Sequence, residues 1–154
     1  MESPTELIAK PDVVMLDLVA GSREAALRAL HGELARLPAV KDADRFLRDM
    51  LERVMVASVC IAADVALPHA RTAAVDRIVL GVARIAVPGV GFDGEHPAVR
   101  LMFMVGTPKE QVGAYLQLVA GISRVLRGEG ARAALLAATT EAEFRAVLAR
   151  GTAR

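Results

Sequence analysis

The chain has 154 residues, of which 54% are apolar and 24% are charged, and its formal net charge is +1. This composition favours one globular domain over residues 1–154 with a substantial core, and it excludes an intrinsically disordered chain. The balanced charge does not indicate nucleic-acid binding. The N-terminus is too polar for a signal peptide, and no apolar run approaches the roughly 20 residues of a membrane span. We therefore expect a cytoplasmic protein without membrane insertion.

The N-terminal third of the chain predicts one strand followed by two helices. The run VVMLDLVA at residues 13–20 is typical of a strand. Ser22 is a suitable N-cap for a helix whose leucines recur every three or four residues until Pro38 ends it. A second helix begins near Asp42, with apolar residues on one side and charged residues, including Arg53, on the other.

The stretch ASVCIAADVALPHAR that follows the second helix predicts a further strand. Its small and β-branched residues favour extended structure, with a bend near residues 62–64. Pro68 restricts the residue before it to extended geometry, so no helix can run through His69. The segment TAAVDR at residues 72–77 is then predicted to form a short turn or helical piece.

Two more strands, at residues 77–87 and 98–105, flank the segment PGVGFDGEHP. Its glycines, Gly89, Gly91 and Gly94, stand in the order G-x-G-x-x-G. A dinucleotide-binding loop with this pattern joins a strand to a helix, whereas here the pattern joins two strands. We therefore interpret the segment as a hairpin loop.

Helices are predicted for the rest of the chain. Thr107 and Glu110 have the spacing of a capping box at the start of a long helix that ends near Gly128, and Thr140 with Glu143 opens a last helix. The order of elements predicts an α/β (α+β) fold, in which a mixed β-sheet is flanked by helices.

The three histidines have different surroundings in the sequence. His31 is predicted to lie at the surface or boundary of a helix, and His96 in the solvated hairpin loop. His69 follows the end of a strand, where a side chain can face a cleft and still be anchored by the sheet. Arg71 lies two residues after His69, and Arg53 lies 16 residues before it.

Other kinds of catalytic site are not indicated by the sequence. Ser58 and Ser123 lack the G-x-S-x-G context of a nucleophilic serine. The histidines and carboxylates show no metal-ligand spacing, so we expect no metal and no cofactor. Cys60 has no partner cysteine and is predicted to act as a small buried apolar residue.

One chemical role fits a histidine at a rim beside arginines. The neutral nitrogen of imidazole attacks phosphorus, and nearby cations stabilise the oxygens of the transferred phosphoryl group. His69, with Arg53 and Arg71, fits a phosphoryl-accepting site of this kind. The alternative reading of the same residues is a loop histidine that only makes a structural hydrogen bond.

The chain resembles a known family over most of its length. LERVMVASVCIAADVALPHARTAAVDR, at residues 51–77, is similar to the signature of enzyme IIA domains of the sugar phosphotransferase system, of the fructose–mannitol and nitrogen-regulatory type. The match is best at residues 65–71, and Arg53 matches the arginine that the family places 16 residues before its histidine. AVRLMFMVGTPKEQVGAYLQLVAGISRVLRG, at residues 98–128, is similar to the family's later strand and helix.

The resemblance implies a mannitol-type IIA fold and a role for each matching residue. His69 would accept a phosphoryl group from a histidine phosphocarrier protein resembling HPr, and would pass it to a IIB domain or use it as a regulatory signal. Arg53 would bind the phosphate and organise the docking face. Arg71, Tyr115 and Ser58 are predicted to contact phosphate or a docking partner, and a homodimer is a reasonable expectation for so apolar a chain.

The chain also departs from the family pattern. Val54 replaces the family's glutamate, and residues 57–64 retain none of the glycines of its G-S-T-G-I-G-x-G segment. Asp64 adds a negative charge beside the predicted phosphate site, and Tyr115 stands where many members carry a second histidine. These departures motivate an alternative function: a regulatory or interaction module that binds a transporter, kinase or channel without sugar phosphotransfer.

Overall fold

Six strands form one mixed β-sheet in the computed structural model, which describes residues 3–153. The strands are β1 (Val13–Leu18), β2 (Cys60–Ala62), β3 (Val65–Ala66), β4 (His69–Arg71), β5 (Val79–Ile85) and β6 (Leu101–Thr107). The helices are α1 (Pro4–Ala9), α2 (Arg23–Leu34), α3 (Ala43–Val56), α4 (Val112–Arg127), α5 (Ala131–Ala137) and α6 (Glu141–Thr152). Residues 1, 2 and 154, which the predicted domain includes, lie outside the described part.

The antiparallel pair β5 and β6 occupies the centre of the sheet. β1 runs parallel to β5, β3 and β4 run parallel to β6, and β2 pairs with β3 in the antiparallel sense. Every residue of β5 and β6 is buried, because helices cover both faces of the sheet. The predicted mixed sheet with flanking helices is confirmed.

Each face of the sheet has its own apolar core. Met102 and Met104 of β6 pack with α2 and α3, whereas Leu101, Phe103 and Val105 pack with α1, α4, α5 and α6. This division follows from the strand, in which successive side chains point to opposite faces. None of the helices between residues 3 and 153 combines the length and the hydropathy that crossing a bilayer requires.

Side-chain capping explains where three of the helices begin. Ser22 Oγ accepts a hydrogen bond from the backbone N–H of Ala25, and Asp42 caps α3 in the same way. Thr140 Oγ1 accepts from the N–H of Glu143, as predicted. The carboxylate of Glu143 accepts from the N–H of Thr139, one residue earlier than a capping box requires.

The segment before α4 differs from its prediction. Thr107 is the last residue of β6, paired with Arg71 of β4, and its side chain is fully buried rather than capping a helix. α4 begins five residues later, after Gln111, without a side-chain cap. The predicted capping box is wrong because the backbone of Thr107 is already committed to the sheet.

The structure also differs from the sequence analysis at three other places. The strand predicted over residues 57–71 is three short strands, with a turn at residues 63–64 where a bend was expected. α1, whose capping box joins Ser3 and Glu6, was not predicted at all. His31 is buried rather than at the surface, because its ring packs against Phe46 and its Nε2 lies 2.8 Å from the carbonyl oxygen of Ala43.

The predicted hairpin loop is confirmed. It connects β5 to β6, which are antiparallel, and a bridge between Val90 and Val99 extends the pairing into the loop. Gly89 has a positive φ of 89°, and a Cβ there would lie 2.7 Å from the carbonyl oxygen of Val99. The first glycine of the G-x-G-x-x-G pattern is therefore needed for the hairpin itself.

Replacing Gly106 with alanine is expected to destabilise the protein by about 1–3 kcal/mol. A Cβ at this position of β6 would lie 2.7 Å from Cζ of Phe46, a fully buried residue of α3. Urea unfolding measures the change. Gly113→Ala, in α4, is the control because its Cβ meets no atom within 4 Å, and it should be neutral or slightly stabilising. Equal stability of the two variants would contradict this close packing.

Candidate functional site

An open cleft lies where β4 ends beside β6, and His69 forms part of its wall. Strand alternation places His69 and Arg71 on the same side of β4, while Ala70 points into the core beneath α3. The last turn of α3 adds Arg53, and the first turn of α4 adds Tyr115. Three separate elements therefore contribute to the site.

The orientation of the His69 ring is fixed by a backbone carbonyl group two residues earlier in the chain. Nδ1 lies 2.8 Å from the carbonyl oxygen of Leu67. Because a carbonyl oxygen can only accept, the neutral ring must carry its proton on Nδ1 and donate it there. The other ring nitrogen, Nε2, then keeps its lone pair, and the half-buried ring remains accessible from the cleft.

The surroundings of His69 favour the neutral ring. Burial lowers the pKa of His69 below its ordinary value of 6.5, and the positive charge of Arg53 lowers it further. The hydrogen bond to the Leu67 carbonyl raises the pKa of His69, but its effect is smaller than that of burial. At neutral pH the ring is therefore uncharged and able to act as a nucleophile.

We expect a histidine titration followed by NMR to give His69 a pKa below 6.5. Because a lowered pKa keeps the ring neutral to lower pH, the ability of Nε2 to accept phosphate should persist through pH 6.5 and fall only in more acidic solution. Arg53→Gln removes one cause of the lowering and should raise the pKa. A wild-type pKa at or above 6.5 would contradict the predicted environment.

Three cationic side chains line the cleft around His69: Arg53, Arg71 and Lys109. Arg53 is held by a hydrogen bond of 3.2 Å from its Nη1 to the carbonyl oxygen of Ala57, just beyond the end of α3. Asp49 and Glu52 also line the cleft. The Asp49 carboxylate accepts a 2.7 Å hydrogen bond from Thr72 Oγ1, so part of its hydrogen-bonding capacity is already used.

Tyr115 lies directly against the histidine. The two ring centroids are 5.1 Å apart, and the ring planes are tilted by 35°. Burial raises the pKa of Tyr115, and the charges of Arg53 and Arg71 partly oppose that effect. The phenol therefore stays protonated at neutral pH and retains a hydroxyl that can donate a hydrogen bond.

The structure does not bring Ser58 to the cleft of His69. Its hydroxyl donates a 2.8 Å hydrogen bond to Asp93 Oδ2, and it lines a different cleft together with Arg23 and Met55. Asp64 is also elsewhere, with its carboxylate 3.5 Å from Arg132 Nη1. Among the described residues, Asp64 is therefore not part of the lining of the His69 cleft, and the carboxylates found there are Asp49 and Glu52.

Lys109 was missed as a site residue because the sequence placed it in a helix start. Hydrophobic periodicity held no signal for its position, because the segment after β6 lies beside the end of β4 only through the parallel pairing of these two strands. An exposed apolar rim was missed in the same way. Val56 is 80% exposed, Leu116 58% and Val112 39%, and all three line the same cleft.

Comparison with known proteins shows which family the chain resembles in sequence. Residues 7–151 match the family described as phosphoenolpyruvate-dependent sugar phosphotransferase system, EIIA 2. The fructose-specific EIIA component of Haloferax volcanii is 31% identical over 140 residues, which cover 90% of each chain. The 2-O-α-mannosyl-D-glycerate-specific EIIABC component of Escherichia coli is 30% identical over 89% of this chain, which spans only 21% of that protein.

Solved structures share the fold. The nitrogen regulatory protein IIA-Ntr of Neisseria meningitidis superimposes with a TM-score of 0.80 at 22% identity, over 94% of this chain and 97% of that one. IIA mannitol of Escherichia coli, in a complex with phosphorylated IIB mannitol, gives a TM-score of 0.75 at 19% identity, over 89% and 94%. The chain belongs to the EIIA 2 family of the phosphoenolpyruvate-dependent sugar phosphotransferase system.

Proposed function

We propose that this chain is a phosphoryl carrier that accepts a phosphoryl group on Nε2 of His69. The donor is a histidine phosphocarrier protein resembling HPr, and the acceptor is a IIB domain. The observation that carries the proposal is the hydrogen bond from Nδ1 to the Leu67 carbonyl, which leaves Nε2 unprotonated in a cleft lined by three cations.

The transfer needs no general base. The lone pair of Nε2 attacks phosphorus, the bond between phosphorus and the donor histidine breaks, and its electron pair returns to the donor nitrogen. Because Nε2 carries no proton, none has to be removed. The role of Arg53, Arg71 and Lys109 is to stabilise the charge on the phosphoryl oxygens during transfer. Transfer onward to the next protein reverses these steps at the same nitrogen.

The apolar rim of the cleft supports docking of a protein partner. Val56, Val112 and Leu116 surround a charged centre, an arrangement in which a partner can bury apolar surface while it aligns the reacting groups. IIA mannitol of Escherichia coli has been solved in complex with phosphorylated IIB mannitol. We extend that kind of partner to this chain.

A regulatory role is the second candidate, and particular residues favour it. Val54 is buried where the family has glutamate, and Tyr115 contacts the ring of His69 where many members have a histidine. In a regulator, phosphorylation of His69 would add about −1.5 to −2 charges to the cleft and thereby change which protein docks there. Comparing the partners captured before and after phosphorylation, with His69→Ala as the control, separates the two roles.

The direct test is incubation with labelled phosphoenolpyruvate, enzyme I and HPr. The wild-type protein should acquire an acid-labile label, and His69→Ala should acquire none. His96→Ala is the matched control, because His96 lies in the hairpin loop and should leave labelling unchanged. An unlabelled wild type, in a mixture where HPr itself is labelled, would overturn the proposal.

A further inference from the structure

We propose that Cys60, Asp93 and His96 bind a zinc ion at a site separate from the cleft of His69. One ligand atom from each residue lies within 4.8 Å of the other two. In a tetrahedral zinc site, neighbouring sulfur, nitrogen and oxygen ligands are separated by roughly 3.5 Å, given metal–ligand bonds of about 2.0–2.3 Å. Side-chain adjustments on the order of 1 Å would therefore bring the three donors into position.

The fold supplies these donors from two segments. Cys60 is the first residue of β2, whereas Asp93 and His96 lie at the two ends of a tight turn in the hairpin loop. Within that turn, the N–H of His96 donates to the carbonyl of Asp93 and the N–H of Phe92 donates to the carbonyl of His96. The distance of 36 residues between the first and last donor explains why the sequence indicated no metal site.

Hydrogen bonds already orient the donors. Ser58 Oγ donates to Asp93 Oδ2 at 2.8 Å and accepts from the backbone N–H of Cys60 at 3.2 Å, so it connects the two segments. His96 Nδ1 lies 2.7 Å from Asp93 Oδ1. His96 was predicted to be solvated, but only 19% of its side chain is exposed, so this prediction is wrong. The hydrogen bond that Ser58 donates to Asp93 is typical of the groups that surround and orient metal ligands.

The chemistry of the donors selects the metal. A thiolate and an imidazole favour zinc over magnesium and calcium, which prefer oxygen ligands. The thiolate and the carboxylate together carry two negative charges, which neutralise Zn²⁺. Three protein ligands leave a fourth position for water.

Zinc binding must displace one proton. A cysteine binds zinc as its thiolate, so the Cys60 thiol gives up its proton when the metal binds. The S–H bond breaks as the Zn–S bond forms, and the proton passes to solvent.

The site would cross-link β2 to the hairpin loop. The residues just before Cys60 include Ala57, whose carbonyl oxygen holds Arg53. Residues 57–64 contain Cys60 and no glycine. A bound zinc ion would therefore restrict the segment that connects α3 to β2.

Titration of the purified protein with Co²⁺, a spectroscopic substitute for Zn²⁺, tests the proposal. The wild type should bind one equivalent with a thiolate-to-cobalt charge-transfer band, and Zn²⁺ should displace it. Cys60→Ser should abolish the band, His96→Gln should weaken binding, and Ser58→Ala should weaken it by about 10- to 100-fold. His69→Ala should bind normally, so the result does not depend on the phosphoryl site.

Two outcomes of the cobalt titration would overturn the zinc site. The first is a wild-type protein that shows no charge-transfer band with cobalt in excess, and the second is a band that persists in Cys60→Ser. Thermal unfolding gives an independent readout, since zinc should raise the midpoint of the wild type but not that of Cys60→Ser. A folded Cys60→Ser variant with an equal zinc-dependent shift would also contradict the proposal.

Discussion

Replacing Arg53 with glutamine is expected to slow phosphoryl transfer to His69 by roughly 10²–10³-fold, the usual effect of removing one preorganised donor from a charged transition state. Arg53 lines the cleft, and its positive charge adds to the burial that lowers the pKa of His69. Glutamine retains polar hydrogen-bonding groups but removes the positive charge. The measurement is the rate of label transfer from phosphorylated HPr under single-turnover conditions.

Arg48→Gln is the matched control for this experiment. Arg48 lies on the same helix and is exposed, but it does not line the cleft of His69. It should therefore transfer phosphate at nearly the wild-type rate. Circular dichroism should show both variants folded, since each substitution affects a side chain outside the apolar cores. Equal rates for the two variants would rule out Arg53 as the group that stabilises the transferred phosphoryl.

Phe46→Ala is expected to cost about 3–5 kcal/mol of unfolding free energy, the range for truncating a fully buried phenylalanine. Phe46 is 0% exposed and attaches α3 to the sheet, where it packs against Gly106 of β6 and the ring of His31. Removing the ring would leave a cavity beneath the helix that carries Arg53. Urea or thermal unfolding measures the loss.

Met55→Ala is the control, because it truncates an exposed apolar side chain on the same helix. Met55 is 78% exposed, so its truncation should alter the unfolding free energy by about 0.5 kcal/mol or less. If Phe46→Ala were as stable as Met55→Ala, α3 would not be anchored to the sheet through this ring. The position of Arg53 in the lining of the His69 cleft would then need another explanation.

The backbone conformation around His69 could be predicted from the local sequence. Pro68 holds the chain extended and so places His69 at the start of a short strand rather than in a helix. Strand alternation then puts Arg71 on the same side as His69. The position of Arg53, unlike that of Arg71, is not set by local sequence, because its distance from His69 depends on how α3 packs on the sheet. The family resemblance indicated that Arg53 lies near His69, whereas hydrophobic periodicity did not.

The part of the site that tertiary packing controls was not predicted. Lys109 reaches the cleft only because β6 runs beside β4, and Thr107 is lost as a helix cap for the same reason. Ser58 has a suitable residue type but lies in another cleft, hydrogen-bonded to Asp93 across 35 residues of sequence. Contacts of this kind depend on the pairing of distant segments, about which hydrophobic periodicity carries no information.

The burial of Arg84 was likewise not indicated by the sequence. Arg84 stands in a strand whose seven residues are all buried, and it is only 4% exposed. It donates to the carbonyl oxygens of Leu135 and Ala138 at the end of α5 and pairs with Asp17 of β1. Its partners come from both ends of the chain, and no local pattern identifies them.

The central claim concerns one atom, Nε2 of His69. Phosphorylating the ¹⁵N-labelled protein with phosphoenolpyruvate, enzyme I and HPr, and then recording ¹⁵N and ³¹P NMR spectra, identifies the nitrogen that carries phosphorus. The hydrogen bond from Nδ1 to the Leu67 carbonyl predicts phosphorus on Nε2, with Nδ1 still protonated. Phosphorus on Nδ1, or on any residue other than His69, would contradict the account.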